Sequence, residues 1–263
     1  MLSIKDFAEF TGINETTLRY YDKFGLLSPS RRGKTRYRYY LPFQAIIANF
    51  IRVLISIGVP LSVIKVMNKN RTPQDVLALL AQQESKLNKQ LRDLQTAYSI
   101  IHTYRDNIQN GMFAREDDIG VQELDETRFT LGPPTDYSNG SFYKTYMDFC
   151  NSVHEHDINI NYPVGGYHDN MGVFADAPGQ PTRFFSQDPH GKLKRKAGRY
   201  LVAHRRAYYG DFGDTALKML AYAQEKGFAF QGPVFVIYLL DEVSIAEPSQ
   251  YLAQITAGVA KKR

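Results

Sequence analysis

The sequence predicts a multidomain chain with a small, mostly α-helical head, a long central helix and a C-terminal α+β domain. Three observations support this prediction. Positive charge is concentrated in the first 70 residues, a helical pattern runs unbroken from Thr72-Pro73 to Gly111, and strand-like and helical segments alternate beyond it. We therefore expect domains at residues 1–71, 72–111 and 120–263.

The composition is that of an ordinary globular protein. The chain has 263 residues, of which 43% are hydrophobic, and this is enough for two separate cores. No apolar run reaches the roughly 18–20 residues that a membrane span needs. The first ten residues include acids and lack the apolar segment of a signal peptide. The single cysteine, Cys150, cannot form an internal disulfide. We therefore expect a cytoplasmic protein with no membrane contact.

The charge of the chain is unevenly distributed. Residues 1–70 contain eleven Lys and Arg against four Asp and Glu, a balance of +7, whereas the whole chain carries +5. Between Ser28 and Tyr40 lie five basic residues and no acid. Such a run standing alone is often a solvated loop. Together with the charge of the whole head, it indicates a polyanionic partner for the head.

Two short helices are predicted at the start of the head. Ser3 is typical of a helix N-cap, and Gly12 ends the helix that follows. Asn14 is the next N-cap, and Gly25 closes the second helix. Two helices across a tight turn form a helix-turn-helix. The second helix is expected to direct four side chains toward solvent, where they suit a DNA groove and its phosphates: Thr16, Thr17, Arg19 and Tyr20.

A basic hairpin is predicted next. Residues 31–35 form its charged tip, and Arg and Tyr then alternate from Arg36 to Tyr40. Alternation at period two places the arginines on one face of a strand and most tyrosines on the other. This pattern is typical of a wing, in which one face packs on the head and the other contacts phosphate.

The stretch GINETTLRYYDKFGLLSPSRRGKTRYRYY, followed by Ile57-Gly58-Val59-Pro60-Leu61, closely resembles the DNA-binding domain of the MerR family of regulators. The resemblance covers residues 1–70. It implies that the head binds double-stranded promoter DNA, mostly at its backbone, with no cofactor. The expected DNA contacts are Thr16, Thr17, Arg19, Tyr20, Tyr21, Arg31, Lys34, Arg36, Tyr37, Arg38 and Tyr39.

The central helix has the pattern of a coiled coil. Thr72-Pro73 is a good helix start, and there is no further proline or glycine before Gly111. One seam follows 3-4 spacing and is mostly apolar: Leu77, Leu80, Glu84, Leu87, Leu91, Leu94, Tyr98, Ile101, Arg105 and Ile108. We expect a homodimer through residues 73–110, which would present two heads to two-fold DNA. The MerR resemblance implies an antiparallel pairing.

The tail is predicted to be an α+β domain with an internal duplication, because strands and helices recur in the same order in its two halves. Its helices are expected over residues 141–154, after an Asn139-Gly140-Ser141 turn, and over residues 215–226. Its strands are expected at residues 120–131, 165–175, 183–186, 199–209, 234–241 and 250–259.

Three tail segments, GRYLVAHRRAYYGDFGD, ALKMLAYAQEKGFAFQGPVFVIYLLDE and SQYLAQITAGV, resemble the gyrase-inhibitor-like effector-binding domain. That domain accompanies MerR heads in the multidrug-responsive branch of the family. The resemblance implies a cavity for an aromatic or lipophilic small molecule, which rigid aromatic walls would bind by stacking and cation–π attraction. The expected lining is Tyr143, Tyr167, Tyr208, Phe212, Val236, Tyr238 and Tyr251.

Val236 departs from the family pattern. The family usually has a glutamate at this position of the strand after Gly-Pro, where its carboxylate favours cationic ligands, and here the strand reads GPVFVIYLLDE. Two alternatives remain open. Either the ligand is neutral or anionic, as the apolar wall favours, or another acid supplies the charge: Asp169, Asp148 or Asp241.

Metal and catalytic sites are not expected. Cys150, His154 and His156 do not share a helix face, and no second ligand cluster accompanies them. His168 and His204 lie in predicted strands without an evident Ser or Cys partner. The sequence therefore shows no pair of a nucleophile and a general base that nucleophilic catalysis would need. We expect no metal, no cofactor and no enzymatic activity.

The resemblances imply a ligand-responsive, homodimeric regulator, with activation as the expected direction. Such a protein distorts promoter DNA and so acts on RNA polymerase indirectly. The alternative is a DNA-architectural or repressing dimer whose C-terminal domain binds no small ligand.

Overall fold

The computed structural model describes residues 1–34, 36–69, 72–138, 142–153, 156 and 158–262. The predicted turn at residues 139–141, the tip residue Thr35 and His154 lie outside these ranges. The chain divides into two compact units, Met1–Leu94 and Gln95–Arg263. None of the helices in the described ranges combines the length and the apolarity that a bilayer span requires.

The described part of the head contains four helices and a three-stranded sheet. The helices are α1 (Ile4–Thr11), α2 (Glu15–Phe24), α3 (Gln44–Ser56) and α4 (Leu61–Lys69). The strands are β1 (Leu2–Ser3), β2 (Arg31–Arg32) and β3 (Arg38–Tyr40), in the antiparallel order β1-β3-β2. One core of buried side chains, including Phe7, Leu18 and Ile51, joins these elements.

The local signals that predicted the helix-turn-helix are confirmed. The Ser3 hydroxyl accepts a hydrogen bond from the Asp6 backbone N–H, and the Asp6 carboxylate accepts one from the Ser3 N–H, which completes a capping box. The Asn14 side chain accepts from a backbone N–H of α2 at 2.7 Å. Gly12 and Gly25 end the two helices at φ values of 67° and 79°. Glycine adopts this left-handed conformation with little strain.

The long helix is confirmed as α5 (Pro73–Phe113), a single helix of 41 residues. Its first turn is capped by Thr72, whose hydroxyl accepts from the Asp75 N–H at 3.1 Å. Leu79 is buried in the head core. The predicted seam is exposed, with four members at least 67% accessible: Leu77, Leu94, Tyr98 and Ile101. The chain by itself therefore leaves an apolar stripe uncovered.

The tail is built on an antiparallel sheet, with eight strands in the described residues. They are β4 (Ile119–Leu124), β5 (Thr127–Pro134), β6 (Val164–His168), β7 (Arg183–Ser186), β8 (Leu193–Arg195), β9 (Gly198–Arg206), β10 (Phe228–Leu240) and β11 (Leu252–Lys261). Their order is β4-β9-β11-β10-β6-β7-β5-β8. The accompanying helices are α6 (Phe142–Ser152), α7 (Met171–Asp176) and α8 (Thr215–Glu225).

Three tail predictions need correction. The predicted strand at residues 120–131 is two strands, β4 and β5, and β8 was not predicted. The predicted strand at residues 165–175 ends at His168, because Asn170 starts a helix: its side chain accepts from the Val173 N–H at 3.0 Å. The prediction relied on alternating polar and apolar residues, and over so short a segment this alternation did not distinguish the Asn170 helix cap from a continuing strand.

Strand β10 is buried on both faces near its C-terminal end. Val234, Val236 and Tyr238 join one cluster, which includes Met219 of α8. The intervening residues Phe235, Ile237 and Leu239 join a second cluster with Phe129 and Phe185. Because side chains alternate along a strand, a single residue of register decides which cluster a side chain joins.

The end of α5 lies directly against β10. A Cβ atom on Gly111 would stand 2.6 Å from Leu240 Cγ and 3.1 Å from Leu239 Cβ. A larger residue at position 111 would therefore push the helix away from the sheet. This close approach holds the preceding turns of α5, including Tyr104, beside the tail.

Candidate functional site

The outer face of α2 presents polar side chains. Thr16, Arg19 and Tyr20 are exposed, and Thr17 is half-buried. Arg19 forms an exposed ion pair with Glu15 at 2.6 Å. Such an i,i+4 pair is weak in water, so the guanidinium can exchange its partner for a phosphate at small cost. The predicted exposure of this face is correct for three of its four residues.

The hairpin differs from the predicted strand. The Gly33 N–H donates to the Tyr37 carbonyl at 2.8 Å, and the Arg36 N–H donates to the Gly33 carbonyl at 2.9 Å. Arg36 adopts a φ of 58°, which is uncommon for a residue with a side chain. Arg36 therefore belongs to the turn, and β3 begins only at Arg38. Arg31, Lys34 and Arg36 are exposed and form no ion pair within the described residues.

Asp22 connects the hairpin to α2. Its side chain is 3% exposed and accepts hydrogen bonds from Arg32 Nη2 at 2.7 and 2.8 Å and from Arg38 Nε at 2.6 Å. Two arginines on the wing thus satisfy one buried carboxylate on α2. Arg38 was expected to contact phosphate, and here its guanidinium is instead held by Asp22.

The expectation for Tyr21 also needs correction. Its side chain is 5% exposed and belongs to the head core, because it lies on the inner face of α2 beside Leu18. Burial raises the pKa of the Tyr21 hydroxyl. Tyr37 is 43% exposed, whereas Tyr39 is half-buried. The exposed cations of the hairpin that form no ion pair within the described residues are therefore Arg31, Lys34 and Arg36.

The tail contains a cavity of about 570 Å³ on the Val236 face of β10. Its size is that of a small-molecule site. Among the described residues, eleven Phe and Tyr side chains line it: Tyr104, Phe142, Tyr143, Tyr146, Tyr162, Phe184, Tyr208, Tyr209, Phe212, Tyr238 and Tyr251.

The tyrosines of the cavity support one another. The Tyr209 ring meets the Tyr238 ring edge-on at 4.4 Å and the Tyr251 ring at 5.6 Å, and it stacks with Phe142 at 6.1 Å. The Tyr238 hydroxyl accepts a hydrogen bond from the Gly210 N–H at 3.1 Å. Rings held on several sides keep their positions when the cavity is empty, which lowers the entropic cost of stacking a flat ligand.

Six of the seven residues predicted to line the cavity do so. Tyr167 does not: it packs edge-on against Phe235 at 5.7 Å, on the opposite face of the sheet. In the β6–β10 ladder Phe235 pairs with Tyr167, whereas Val236 pairs with Gly166. The prediction was one residue out of register, and the neighbours Gly166 and His168 line the cavity instead.

The floor of the cavity is apolar, as predicted from Val236, which is 3% exposed. Of the three acids considered as substitutes, Asp241 lines the cavity, whereas Asp148 and Asp169 are exposed and do not. Glu242, which was not considered, lines it too and accepts a hydrogen bond from the Tyr209 hydroxyl. A negative edge thus adjoins an uncharged floor.

The two acids have no cationic partner. No Lys, Arg or His in the described ranges forms an ion pair with Asp241 or Glu242. Burial raises the pKa of the Asp241 carboxyl, and the Glu242 charge adds to this effect. Burial and both carboxylates also raise the pKa of the neighbouring Tyr104 hydroxyl. A bound cation would relieve the repulsion between the carboxylates.

Two buried polar atoms of the cavity have no hydrogen-bond partner among the residues that the structure describes. They are the Tyr162 hydroxyl and His168 Nδ1, and each residue is 1% exposed. Burial lowers the pKa of His168 to about 4, so its imidazole is neutral at physiological pH. Buried polar atoms without a hydrogen-bond partner are rare in folded proteins, and a ligand can supply the missing hydrogen bond.

The comparisons with known proteins agree with the sequence of the head. Residues 3–40 match the family model described as MerR family regulatory protein. Over 91% of its length the chain is 22% identical to the multidrug-efflux transporter 2 regulator of Bacillus subtilis strain 168, of which it covers 89%. Residues 3–40 are therefore a MerR-family domain. The chain is also 28% identical, over 41% of its length, to 88% of a probable heavy metal-dependent transcriptional regulator of Haemophilus influenzae Rd.

Two solved structures overlap weakly with the chain. The EcmrR–DNA complex in EcmrR-RPo covers 99% of this chain and 100% of its own, at 15% identity and a TM-score of 0.39. The N-terminal part of the Bacillus subtilis multidrug transporter activator MtaN covers 39% of this chain and 97% of its own, at 29% identity and a TM-score of 0.33. The assignment of the MerR-family domain therefore comes from the sequence matches.

Sequence reasoning missed four residues of this chain: Asp22, Tyr104, His168 as a cavity residue, and Glu242. Each acts through partners distant in sequence, such as Arg38 for Asp22 and Tyr209 for Glu242. The DE dipeptide at the end of β10 was the one available signal for Glu242. No group of three His, Cys, Asp or Glu side chains within the described residues could hold a metal ion.

Proposed function

We propose that this protein is a homodimeric regulator that binds and distorts promoter DNA with its two heads, and that an aromatic, lipophilic cation in the tail cavity controls it. The observation that carries the proposal is the position of Asp241 and Glu242. Two carboxylates adjoin an aromatic cavity and lack a cationic partner within the described residues. An aromatic cation would meet them and stack on the tyrosines.

The exposed cations of the wing support the DNA part. Arg31, Lys34 and Arg36 are free to neutralise phosphate, while Arg32 and Arg38 hold the hairpin against α2 through Asp22. The Bacillus subtilis relative is a regulator of a multidrug-efflux transporter, which agrees with a lipophilic ligand.

The exposed seam of α5 supports the dimer. Its apolar members recur at heptad spacing, and burial against a second copy would remove several leucine side chains from water. A two-fold dimer would present two wings to one duplex, and its state would decide whether deforming the DNA is favourable.

Tyr104 supports a link between ligand and helix. It is part of α5, the proposed dimerisation helix, and it is also part of the cavity wall, about two helical turns before Gly111, which lies against Leu240. A ligand that contacts Tyr104 and neutralises the adjoining acids changes the surroundings of α5 directly. Coupling requires such a difference in contacts between two states.

The proposal is tested with two flat probes of equal shape, the cation 1-methyl-4-styrylpyridinium and neutral 4-methylstilbene. Duplexes selected by the full-length protein from a random library should show two-fold symmetry. Transcription by a bacterial RNA polymerase from promoters carrying them should respond to the cation and not to the neutral probe. The cation should also raise the melting temperature of the protein.

Three results would contradict the proposal in different parts. Selected duplexes that bind but give transcription insensitive to both probes, with no rise in melting temperature, would favour the architectural or repressing dimer. Chemical conversion of the cation would favour an enzyme. Selection of no sequence above background would remove the DNA-binding function.

A further inference from the structure

The cavity has two chemically different ends. In the antiparallel β6–β10 ladder, His168 pairs with Val234 and Gly166 with Val236. β10 continues for six residues beyond Val234, to Leu240, and Asp241 and Glu242 follow its end. At the rise of an extended strand, Leu240 lies about 20 Å from Val234, the pairing partner of His168. Residues from both ends line the same cavity, which is therefore elongated along the strand.

His168 supplies the only polar side-chain atom identified at its end. Its ring contacts the Phe174 ring edge-on at 5.0 Å, and its pairing partner Val234 is fully buried. Nδ1 has no partner among the described residues, although 99% of the residue is removed from solvent. A neutral imidazole can donate or accept one hydrogen bond at this nitrogen, and it repels neither a neutral polar group nor an apolar ring.

We propose that His168 determines specificity by hydrogen-bonding a neutral polar group at one end of an elongated aromatic ligand whose cationic group lies against Asp241 and Glu242. The favoured ligand class is an asymmetric aromatic monocation with an amide, hydroxyl or similar group opposite the charge. A symmetric dication would bury its second charge beside Phe174 and Val234, where no acid of the described residues lines the cavity. This inference rests on the proposed function and narrows it.

His204 provides a matched control. It is also buried, at 7% exposed, and its Nδ1 likewise lacks a partner in the described part of the chain. Its other ring nitrogen lies 3.2 Å from Gln254 Nε2, and the residue does not line the cavity. His168→Phe and His204→Phe therefore make the same chemical change at similar burial, and only the first alters the cavity.

The experiment compares two forms of 1-methyl-4-styrylpyridinium, one with a carboxamide and one with an isopropyl group on the phenyl para position. The groups are similar in shape, and only the carboxamide can hydrogen-bond. Calorimetric titration of the full chain should show the carboxamide binding about tenfold more tightly. His168→Phe should reduce this ratio to within about twofold, while His204→Phe should keep the ratio.

Nitrogen-15 NMR of labelled histidine gives a second measurement that needs no variant for its readout. The chain has six histidines. One Nδ1 resonance should move with the carboxamide probe and stay in place with the isopropyl probe. Equal affinities of the two probes for the wild-type chain, or an unchanged ratio in His168→Phe, would overturn the role of His168 and leave the proposed function standing. Failure of both probes to bind would overturn the proposed function as well.

Discussion

The acidic groups of the head and of the tail cavity have opposite surroundings. In the head, the Asp22 side chain is almost fully buried and accepts three hydrogen bonds from Arg32 and Arg38. In the tail, Asp241 is half-buried and Glu242 is exposed at the edge of the cavity, and neither forms an ion pair with a described residue. We therefore expect the charge of Asp22 to stabilise the fold, and the charges of Asp241 and Glu242 to act on the proposed ligand.

The same contrast holds for apolar surface and for cations. The head core buries Leu18 and Ile51 completely, yet Leu91 and Leu94 of α5 are more than half exposed. Arg38 is paired, yet Arg36 is not. Substitutions of residues that are buried or paired within the chain should therefore lower the free energy of unfolding. Substitutions of the exposed, unpaired residues should weaken binding and leave the free energy of unfolding unchanged.

The largest expected effect concerns the open seam. Leu87→Glu with Leu94→Glu places charges in the proposed dimer interface, and we expect monomers whose domains remain folded but that have lost specific DNA binding. Sedimentation velocity measures the mass. Gln82→Glu with Gln90→Glu adds the same charge at other exposed positions of α5 and should leave the dimer intact. A seam variant that still sediments as a dimer would place the interface elsewhere.

The next effect concerns the completed carboxylate. Asp22→Ala removes the partner of two arginines, and we expect the head to lose about 2 kcal/mol of unfolding free energy, after discounting for the exposure of Arg32. Urea unfolding of the full chain, followed by the head transition, gives this value. A loss below about 0.5 kcal/mol would show that the Asp22 cluster contributes little to stability.

The two wing arginines sharpen the contrast within one hairpin. Arg36→Ala should reduce the slope of log affinity for DNA against log salt by about one and leave stability unchanged, because one phosphate contact is lost. Arg38→Ala should lower stability by about 1 kcal/mol, because Asp22 loses one of its partners. The pair is measured by fluorescence anisotropy at several salt concentrations and by urea unfolding. Identical behaviour of the two variants would contradict the distinction.

The smallest effect should have the opposite sign to that of Asp22. Because burial raises the pKa of Asp241 above 3.8, this group favours the folded tail below that pH and loses its contribution as the pH rises through the folded pKa. Asp241→Asn removes this loss at pH 7. The melting temperature of the tail should then rise by about 1–2 °C at pH 7 and change less at pH 4. Asp22→Asn should lower that of the head.

Local signals predicted most of the head. The ends of α1 and α2 are set by capping residues that contact backbone groups within one helical turn: Ser3, Gly12, Asn14 and Gly25. The local sequence was therefore enough to predict these ends. The hairpin was predicted in position but not in detail, because the contact of Asp22 with Arg38 spans 16 residues. Such pairing follows from the fold and not from the local pattern.

The cavity was predicted in kind and only partly in its residues. Its aromatic wall followed from the number of tyrosines, but Tyr167 was placed on the wrong face since a one-residue shift reverses a strand. The sequence did not predict that Glu242 contributes a charge at the cavity edge. Glu242 reaches Tyr209 from the turn after β10, and a turn lacks the regular side-chain repeat from which the facing direction of a strand residue is predicted. The effector-binding role of the cavity remains a prediction.

The claim that Asp241 and Glu242 are left for a cationic ligand is tested most directly by calorimetric titration of a cation and its neutral isostere into two forms of the protein. Wild type should bind 1-methyl-4-styrylpyridinium at least about tenfold more tightly than 4-methylstilbene, since only the cation meets the carboxylates. In Asp241→Asn with Glu242→Gln, which keeps the Tyr209 hydrogen bond, the two affinities should agree within about threefold. Equal affinities in wild type, or an undiminished preference for the cation in the double variant, would contradict the account.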